Sequence, residues 1–169
     1  MINKHVEEAI NEQIKNEFFS AYLYLSMSAY CESINLPGFA QWMRMQYEEE
    51  MAHALRLFDF LIDRDGTVDL RAIDKPAAEF KSPLRVFEDV LAHEQKVTKM
   101  IHDLYALSVK ENDYPTQVEM QWFITEQVEE EKNAGDVVQR LKLAGDDNTA
   151  LLMLDREMSN RAATAETAA

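Results

Sequence analysis

The chain has 169 residues, only four glycines and four prolines, and a formal charge of −14 from 31 acidic and 17 basic residues. This length suits one domain with a sizeable core, the shortage of glycine leaves no phosphate-cradling loop or dinucleotide fingerprint, and the acidity argues against nucleic acid, which asks for basic stripes. The same charge draws cations toward clefts, although it also serves plain solubility.

The segment Met1 to Glu8 is charged and runs straight into a helical pattern, so no signal peptide is expected. No apolar run reaches membrane length, so no membrane contact and a cytoplasmic location are expected. The first helix is expected from Lys4 to Glu32. Near its end sits Cys31, the single cysteine. Alone it can form neither an internal disulfide nor a thiolate metal cluster, and it suits a small core or interface residue of a reducing compartment. Asn35-Leu36-Pro37-Gly38 makes a tight turn, so the second helix, Gly38 to Arg64, packs antiparallel to the first.

Residues Asp65 to Lys81 carry Asp65-Gly66-Thr67, alternating Val68 and Leu70, and Pro76. The segment is long for a bundle loop. It can travel the length of a helix, which makes the second and third helices parallel. The third helix opens at Ser82-Pro83, an N-cap followed by proline at the first helical position, and ends near Glu111. Asn112-Asp113-Tyr114-Pro115-Thr116 forms the next turn, with Thr116 expected as N-cap. The fourth helix then runs to Ala144, where Gly145 stops it. Asn148 to Met158, with Leu151, Leu152, Met153 and Leu154, predicts a short fifth helix whose apolar run reads as an interface. The Ala/Thr-rich residues 162–169 read as a disordered tail, leaving 1–161 as a single all-α domain.

Bundle seams repeat in steps of three and four residues. The first helix reads Ile10, Ile14, Glu17, Ala21, Tyr24, Ser28. The second reads Phe39, Met43, Gln46, Glu50, His53, Leu57, Phe60. The third reads Leu84, Phe87, Leu91, Glu94, Thr98, Ile101, and the fourth Phe123, Gln127, Glu130, Ala134, Val137, Leu141. With the second and third helices parallel, Glu17, Glu50, His53, Glu94 and Glu130 fall within about 10 Å along the bundle axis, at ~1.5 Å per residue. One acid in a seam commonly just sets register, and a lone histidine is commonly a satisfied core residue. Five converging side chains are different: burying ionised carboxylates without a partner costs several kcal/mol each, so the set asks for a cation. His5, His93 and His102 have no such context and are expected at the surface. Tyr24 and Trp122 read as packing.

Carboxylates with one imidazole suit iron or manganese, since zinc sites favour more histidine or cysteine. Glu50-Met51-Ala52-His53 is a Glu-x-x-His step that puts both ligands on one helix face. Di-iron bundles carry two such steps plus one glutamate from each remaining helix. Here the fourth helix has Gln127-Val128-Glu129-Glu130 in place of the second step.

With Glu17, Tyr24, Glu49-Glu50-x-x-His53, Glu94, Glu126-Gln127-x-Glu129-Glu130 and the ending Thr149-Ala150-Leu151-Leu152-Met153-Leu154-Asp155, the chain resembles the non-haem bacterial ferritins over nearly its whole length. The resemblance implies a ferritin-like four-helix bundle with a long crossover and a short fifth helix. It implies a homo-oligomer, a hollow cage of 24 subunits with the fifth helix lining the four-fold axes. The implied function is iron storage and detoxification, with Fe(II) oxidised by dioxygen at a di-iron ferroxidase centre within each subunit. Glu17, Glu50 and His53 would hold the first iron, Glu50 would bridge to the second, and Glu94 and Glu130 would complete it. Gln127 would hydrogen-bond nearby oxygen species, and Tyr24 would stand beside the centre as an electron donor. Glu49, Glu126, Glu129 and Glu130 would form a third iron site, although an acidic solvated face explains the first three nearly as well.

No haem is expected. Met51 follows Glu50 as the haem-ligating methionine of a bacterioferritin would, but Gln127 and Glu130 stand where that family has Glu and His. A rubrerythrin-like peroxidase would need paired cysteines. A metal-free helical interaction protein docking through Leu151 to Leu154 is the remaining alternative.

Overall fold

Five helices follow one another, α1 (Lys4–Ser33), α2 (Pro37–Asp63), α3 (Pro83–Lys110), α4 (Tyr114–Ala144) and α5 (Asn148–Glu166), and no strand occurs among the described residues. They come from a computed structural model that describes the backbone of residues 2–166 and the side chains of 2–159. Local chemistry sets most boundaries. The Asn3 side chain accepts from the His5 N–H at 2.8 Å and caps α1. Ser82 accepts from the Arg85 N–H at 3.1 Å and caps α3, with Pro83 entering its first turn. Gly145, at φ +55°, ends α4 in the left-handed region that favours glycine.

The cap of α4 differs from the sequence expectation. Asp113, not Thr116, is the N-cap, accepting from the Thr116 N–H at 3.2 Å. Tyr114-Pro115 forms the first turn itself, because proline fits there without losing a needed donor, and this moves the cap to the preceding aspartate. The Thr116 hydroxyl accepts from Arg64 at 2.7 Å instead.

Two hydrophobic clusters fix the topology. In one, Val6, Ile10 and Ile14 from the start of α1 pack with Leu57 and Leu61 late in α2, Val97, Ile101 and Leu104 late in α3, and Met120 and Phe123 early in α4. In the other, Tyr24, Met27 and Cys31 late in α1 meet Phe39 and Met43 early in α2, Val86, Phe87 and Val90 early in α3, and Val137 and Leu141 late in α4. Early α2 therefore lies beside early α3, and the two run parallel. The long connection between them has no regular structure and follows α1. Asn11 donates to the Thr67 carbonyl at 2.9 Å and accepts from the Asp69 N–H at 2.7 Å. Ser26, further along α1, donates to the Ala77 carbonyl at 2.6 Å.

The seam of α3 also departs from expectation. Val90, Val97 and Leu104 are buried, whereas Leu91 and Thr98 are only half-buried. Phe87, Glu94 and Ile101 lie one heptad apart and fix one row of the seam. They leave the second row open between two apolar-compatible sets. Leu61 likewise takes the buried place at the end of α2, with Phe60 half-buried.

The fifth helix runs past Met158 to Glu166, so the backbone of 162–166 is helical rather than tail. No glycine or proline interrupts the stretch, and its alanines are the best helix formers. Residues 167–169, the rest of the expected tail, lie outside the described residues. The apolar run of α5 is divided: Leu154 and Met158 are buried in the bundle, while Leu152 and Met153 are exposed. The Asp155 carboxylate accepts from the Phe39 N–H at 2.9 Å. It supplies the cap that Leu36 cannot give α2. A Cβ on Gly38 would lie 1.7 Å from the Asp155 carbonyl oxygen, so glycine is what lets α5 approach. No described helix is long and apolar enough to cross a membrane.

Gly38→Ala is expected to push α5 off the bundle and lower the melting temperature, because the obstructing atom is backbone and cannot rotate away. Asp155→Ala should remove about 1 kcal/mol of stability in urea denaturation and Asp155→Asn much less, since asparagine keeps a capping oxygen.

Candidate metal centre

Between the two apolar clusters lies a layer of polar side chains. Glu17, Glu50, His53, Glu94, Gln127 and Glu130 are all buried there, and Glu94 is 0% exposed. Tyr24, from the neighbouring cluster, reaches into the layer. Three helices and the α2 Glu-x-x-His step thus bring the expected acids together at mid-bundle.

One ligand atom from each of Glu17, Glu50 and His53 lies within 4.8 Å of the other two. Glu50 Oε2 is buried and accepts no hydrogen bond from any described residue. The Nδ1 of His53 stands 3.4 Å from it, without the alignment of a hydrogen bond. A carboxylate oxygen left in this way in a buried, acidic pocket is placed for a cation. Hard oxygen donors with one imidazole fit iron.

Across the bundle, Glu94 is held at both oxygens. The Tyr24 hydroxyl donates to Oε1, and the Gln127 amide donates to Oε2 at 3.2 Å. Glu94 and Glu130 do not join the tight group around Glu50, but their charges reach it. Burial, then the charges of Glu17 and Glu94, pushes the Glu50 carboxyl well above the usual carboxylate range. Burial raises Glu94 to about 7 against the opposing hydrogen bonds from Tyr24 and Gln127. Burial, then Glu49 and Glu94, raises Glu130 to about 9. The Tyr24 hydroxyl is pushed well above its ordinary value by burial and then by Glu94 and Glu50. Every shift has one sense: the pocket resists negative charge.

A second group surrounds the mouth. Ligand atoms of Glu49, His53 and Glu126 lie within 4.8 Å of one another, so His53 belongs to both groups. Glu49 is exposed and Glu126 half-buried, with its carboxyl raised by burial and then by Glu49. Glu129 is exposed and joins neither group, although its charge acts on Glu126 and Glu130.

Some neighbours escaped the sequence reading. Gln13 donates to Glu17 Oε1 at 2.7 Å from one turn earlier, and Gln46 donates to Glu49 Oε2 at 2.7 Å. Their spacings of four and three residues were the available signal. Trp122 packs edge-on against the His53 ring at 5.3 Å, and the Arg56 guanidinium covers the indole at 4.1 Å while pairing with Glu119. His5 and His102 are exposed as expected, but His93 is half-buried. Ser20 Oγ lies 2.8 Å from its Nε2, and burial, then Lys96, pushes it down to about 4. Helix α3 turns His93 toward Phe19 and Ser20, packing that heptad counting from Glu94 did not capture. Cys31 lies in the core, its thiol pushed up to about 12 chiefly by burial.

A pH dependence follows from the raised acids. Folded Glu94 and Glu130 hold protons at pH values where the unfolded carboxylates, near 4.5, have lost them. The unfolded chain therefore binds fewer protons, and stability falls as pH rises from about 4.5 to about 9. Chelated protein should need less urea to unfold at about pH 8 than at about pH 5.5, and Glu130→Gln should flatten that slope. A divalent cation that binds the folded centre should restore the lost stability at the higher pH.

The family model described as Ferritin-like domain matches residues 7–144. The chain is 37% identical over 161 residues to the bacterial non-heme ferritin of Staphylococcus haemolyticus, an alignment covering 95% of this chain and 97% of that relative. The counterpart from Staphylococcus aureus is 35% identical with the same coverage. Among solved structures, an open pore ferritin from the hyperthermophilic archaeon Archaeoglobus fulgidus matches with a TM-score of 0.93 and 49% identity over 94% of this chain and 96% of that chain. A closed form of that archaeal ferritin, engineered by site-directed mutagenesis, gives the same score and identity. Fold, mid-bundle acids and relatives agree, and the chain belongs to the ferritin family of iron-storage proteins, among its non-haem members.

Proposed function

We propose that this ferritin is a ferroxidase that oxidises Fe(II) with dioxygen inside each bundle and deposits the ferric product within a cage of 24 copies. Residues 1–161 act as one unit in this reading, and the protein works in the cytoplasm. The observation that carries it is the buried, unpartnered Glu50 Oε2 beside Glu17 and His53.

Iron enters as substrate. Glu17, Glu50 and His53 take the first ferrous ion, and Glu50, Glu94 and Glu130 take the second. Binding displaces the protons that the isolated pocket keeps on its acids, so the negative charge that was unfavourable becomes the attraction. Each ion gives one electron to dioxygen, which is thereby reduced to the peroxide level and takes up two protons. The positive charge on the metal pair rises, and fixed carboxylates stabilise the higher charge better than the lower one. Gln127 supplies a hydrogen-bonding group beside the reacting oxygen, and Tyr24, donating to Glu94, is assigned as the nearby electron donor. The fourth helix offers Glu130 where a second histidine would hold iron more firmly, so ferric product can leave toward the interior. Glu49, Glu126, Glu129 and Glu130 form the third iron site in this reading. The shared position of His53 between the two groups supports its continuity with the centre.

Apoprotein mixed with ferrous salt in air should develop ferric absorbance rapidly and sediment as a large cage. Glu50→Ala and His53→Ala should each slow the fast oxidation by more than the roughly 10- to 100-fold that loss of a ligand-orienting neighbour costs, while the cage persists. Oxidation at the native rate in both variants would refute the centre. A haem absorption band in the purified native protein would assign it to the haem-binding branch.

A further inference from the structure

A glutamine amide can face a neighbour with its NH2 or with its carbonyl, and only the surrounding donors and acceptors decide which. Around Gln127 they decide clearly. Its Nε2 lies 3.2 Å from the Glu94 carbonyl, 3.2 Å from Glu94 Oε2 and 3.2 Å from Thr98 Oγ1. The Thr98 hydroxyl has one hydrogen, and it donates this to Glu131 Oε1 at 2.6 Å. What Thr98 then offers Gln127 is a lone pair, which accepts from NH2 and repels a carbonyl. The chain of donors thus runs one way, from Gln127 to Thr98 to Glu131, with Glu131 half-buried at the edge of α4.

We infer that Thr98 and Glu131 are positioning residues of the centre: together they lock the Gln127 amide with its NH2 toward Glu94 and so hold Glu94 in place as a ligand of the second cation. The inference rests on the two-cation centre proposed above. Without Glu131, the Thr98 hydrogen is free to donate to the amide oxygen, and the amide turns over. Its oxygen then faces the Glu94 carbonyl and Glu94 Oε2, two acceptors that have lost their shared donor, and Glu94 must move. Groups that orient ligands from behind commonly change metal affinity by roughly 10- to 100-fold. The hydrogen bonds of Thr98 and Glu131 run to Gln127 and to each other, not to Glu17, Glu50 or His53, so the first cation should not notice their loss.

The test is an anaerobic titration of the whole cage, stripped of metal, with cobalt(II), following its visible absorption per subunit. Native protein should bind two cobalt ions with distinct spectra. Thr98→Val and Glu131→Ala should each weaken the second by roughly 10- to 100-fold and leave the first unchanged. Thr98→Ser, which keeps the hydroxyl, should bind as native. The double variant should lose no more than the weaker single variant, because one chain is broken once. If Thr98→Val does not assemble, Glu131→Ala at the bundle edge carries the comparison. Native affinity for both ions in the single variants, or multiplicative losses in the double, overturns this inference and leaves the centre standing. Native protein that binds no cobalt overturns both.

Discussion

The structure turns on the repulsion among acids that four helices have gathered in one buried layer. An isolated bundle has no reason to put Glu17, Glu50, Glu94 and Glu130 in mutual reach. Burial and mutual charge push the carboxyls of Glu50, Glu94 and Glu130 up, and Glu50 Oε2 accepts no hydrogen bond from any described residue. Hydrophobic clusters above and below hold the layer shut, so the acids cannot relieve the strain by turning to water. In the proposed reading, a cation bound among these acids would recover the stability their repulsion costs.

The crossover is what makes this convergence possible. Two hairpins, α1–α2 and α3–α4, could each form with a short turn. Joining them by a strap along α1 brings early α2 beside early α3, so that the Glu50–His53 step and Glu94 fall at the same depth. The strap is fixed by polar groups of α1 rather than by a core of its own. Asn11 grips it at one end and Ser26 at the other, and Arg71 pairs with Glu8 and Glu12 between them. At the far end, α5 caps α2 through Asp155 and needs Gly38 to do so. The exposed pair Leu152 and Met153 then faces away from the bundle, where a cage contact would cover it.

Much of this was legible in the residues. Pro37, Ser82-Pro83 and Gly145 punctuate the helices by local stereochemistry, which does not depend on packing. The seams of α1 and α4, and that of α2 as far as Leu57, were legible because polar residues interrupt an otherwise apolar stripe. The second row of α3 was not, since Leu91 and Val90 are equally apolar and only the neighbouring helices choose between them. Asp155 and Gly38 lie far apart in sequence, so no local pattern announces their contact. The chain from Gln127 through Thr98 to Glu131 was hidden for a related reason: hydroxyl direction is a property of three-dimensional neighbours, not of spacing. Helix α5 outran its expected length because alanine and glutamate continue a helix as readily as they end a chain.

The most direct measurement is anomalous X-ray diffraction at the iron edge from crystals soaked anaerobically in ferrous salt. Two peaks per subunit are expected, one among Glu17, Glu50 and His53, and one between Glu50, Glu94 and Glu130. Data showing those carboxylates hydrogen-bonded to one another with no anomalous signal in the layer would contradict the account.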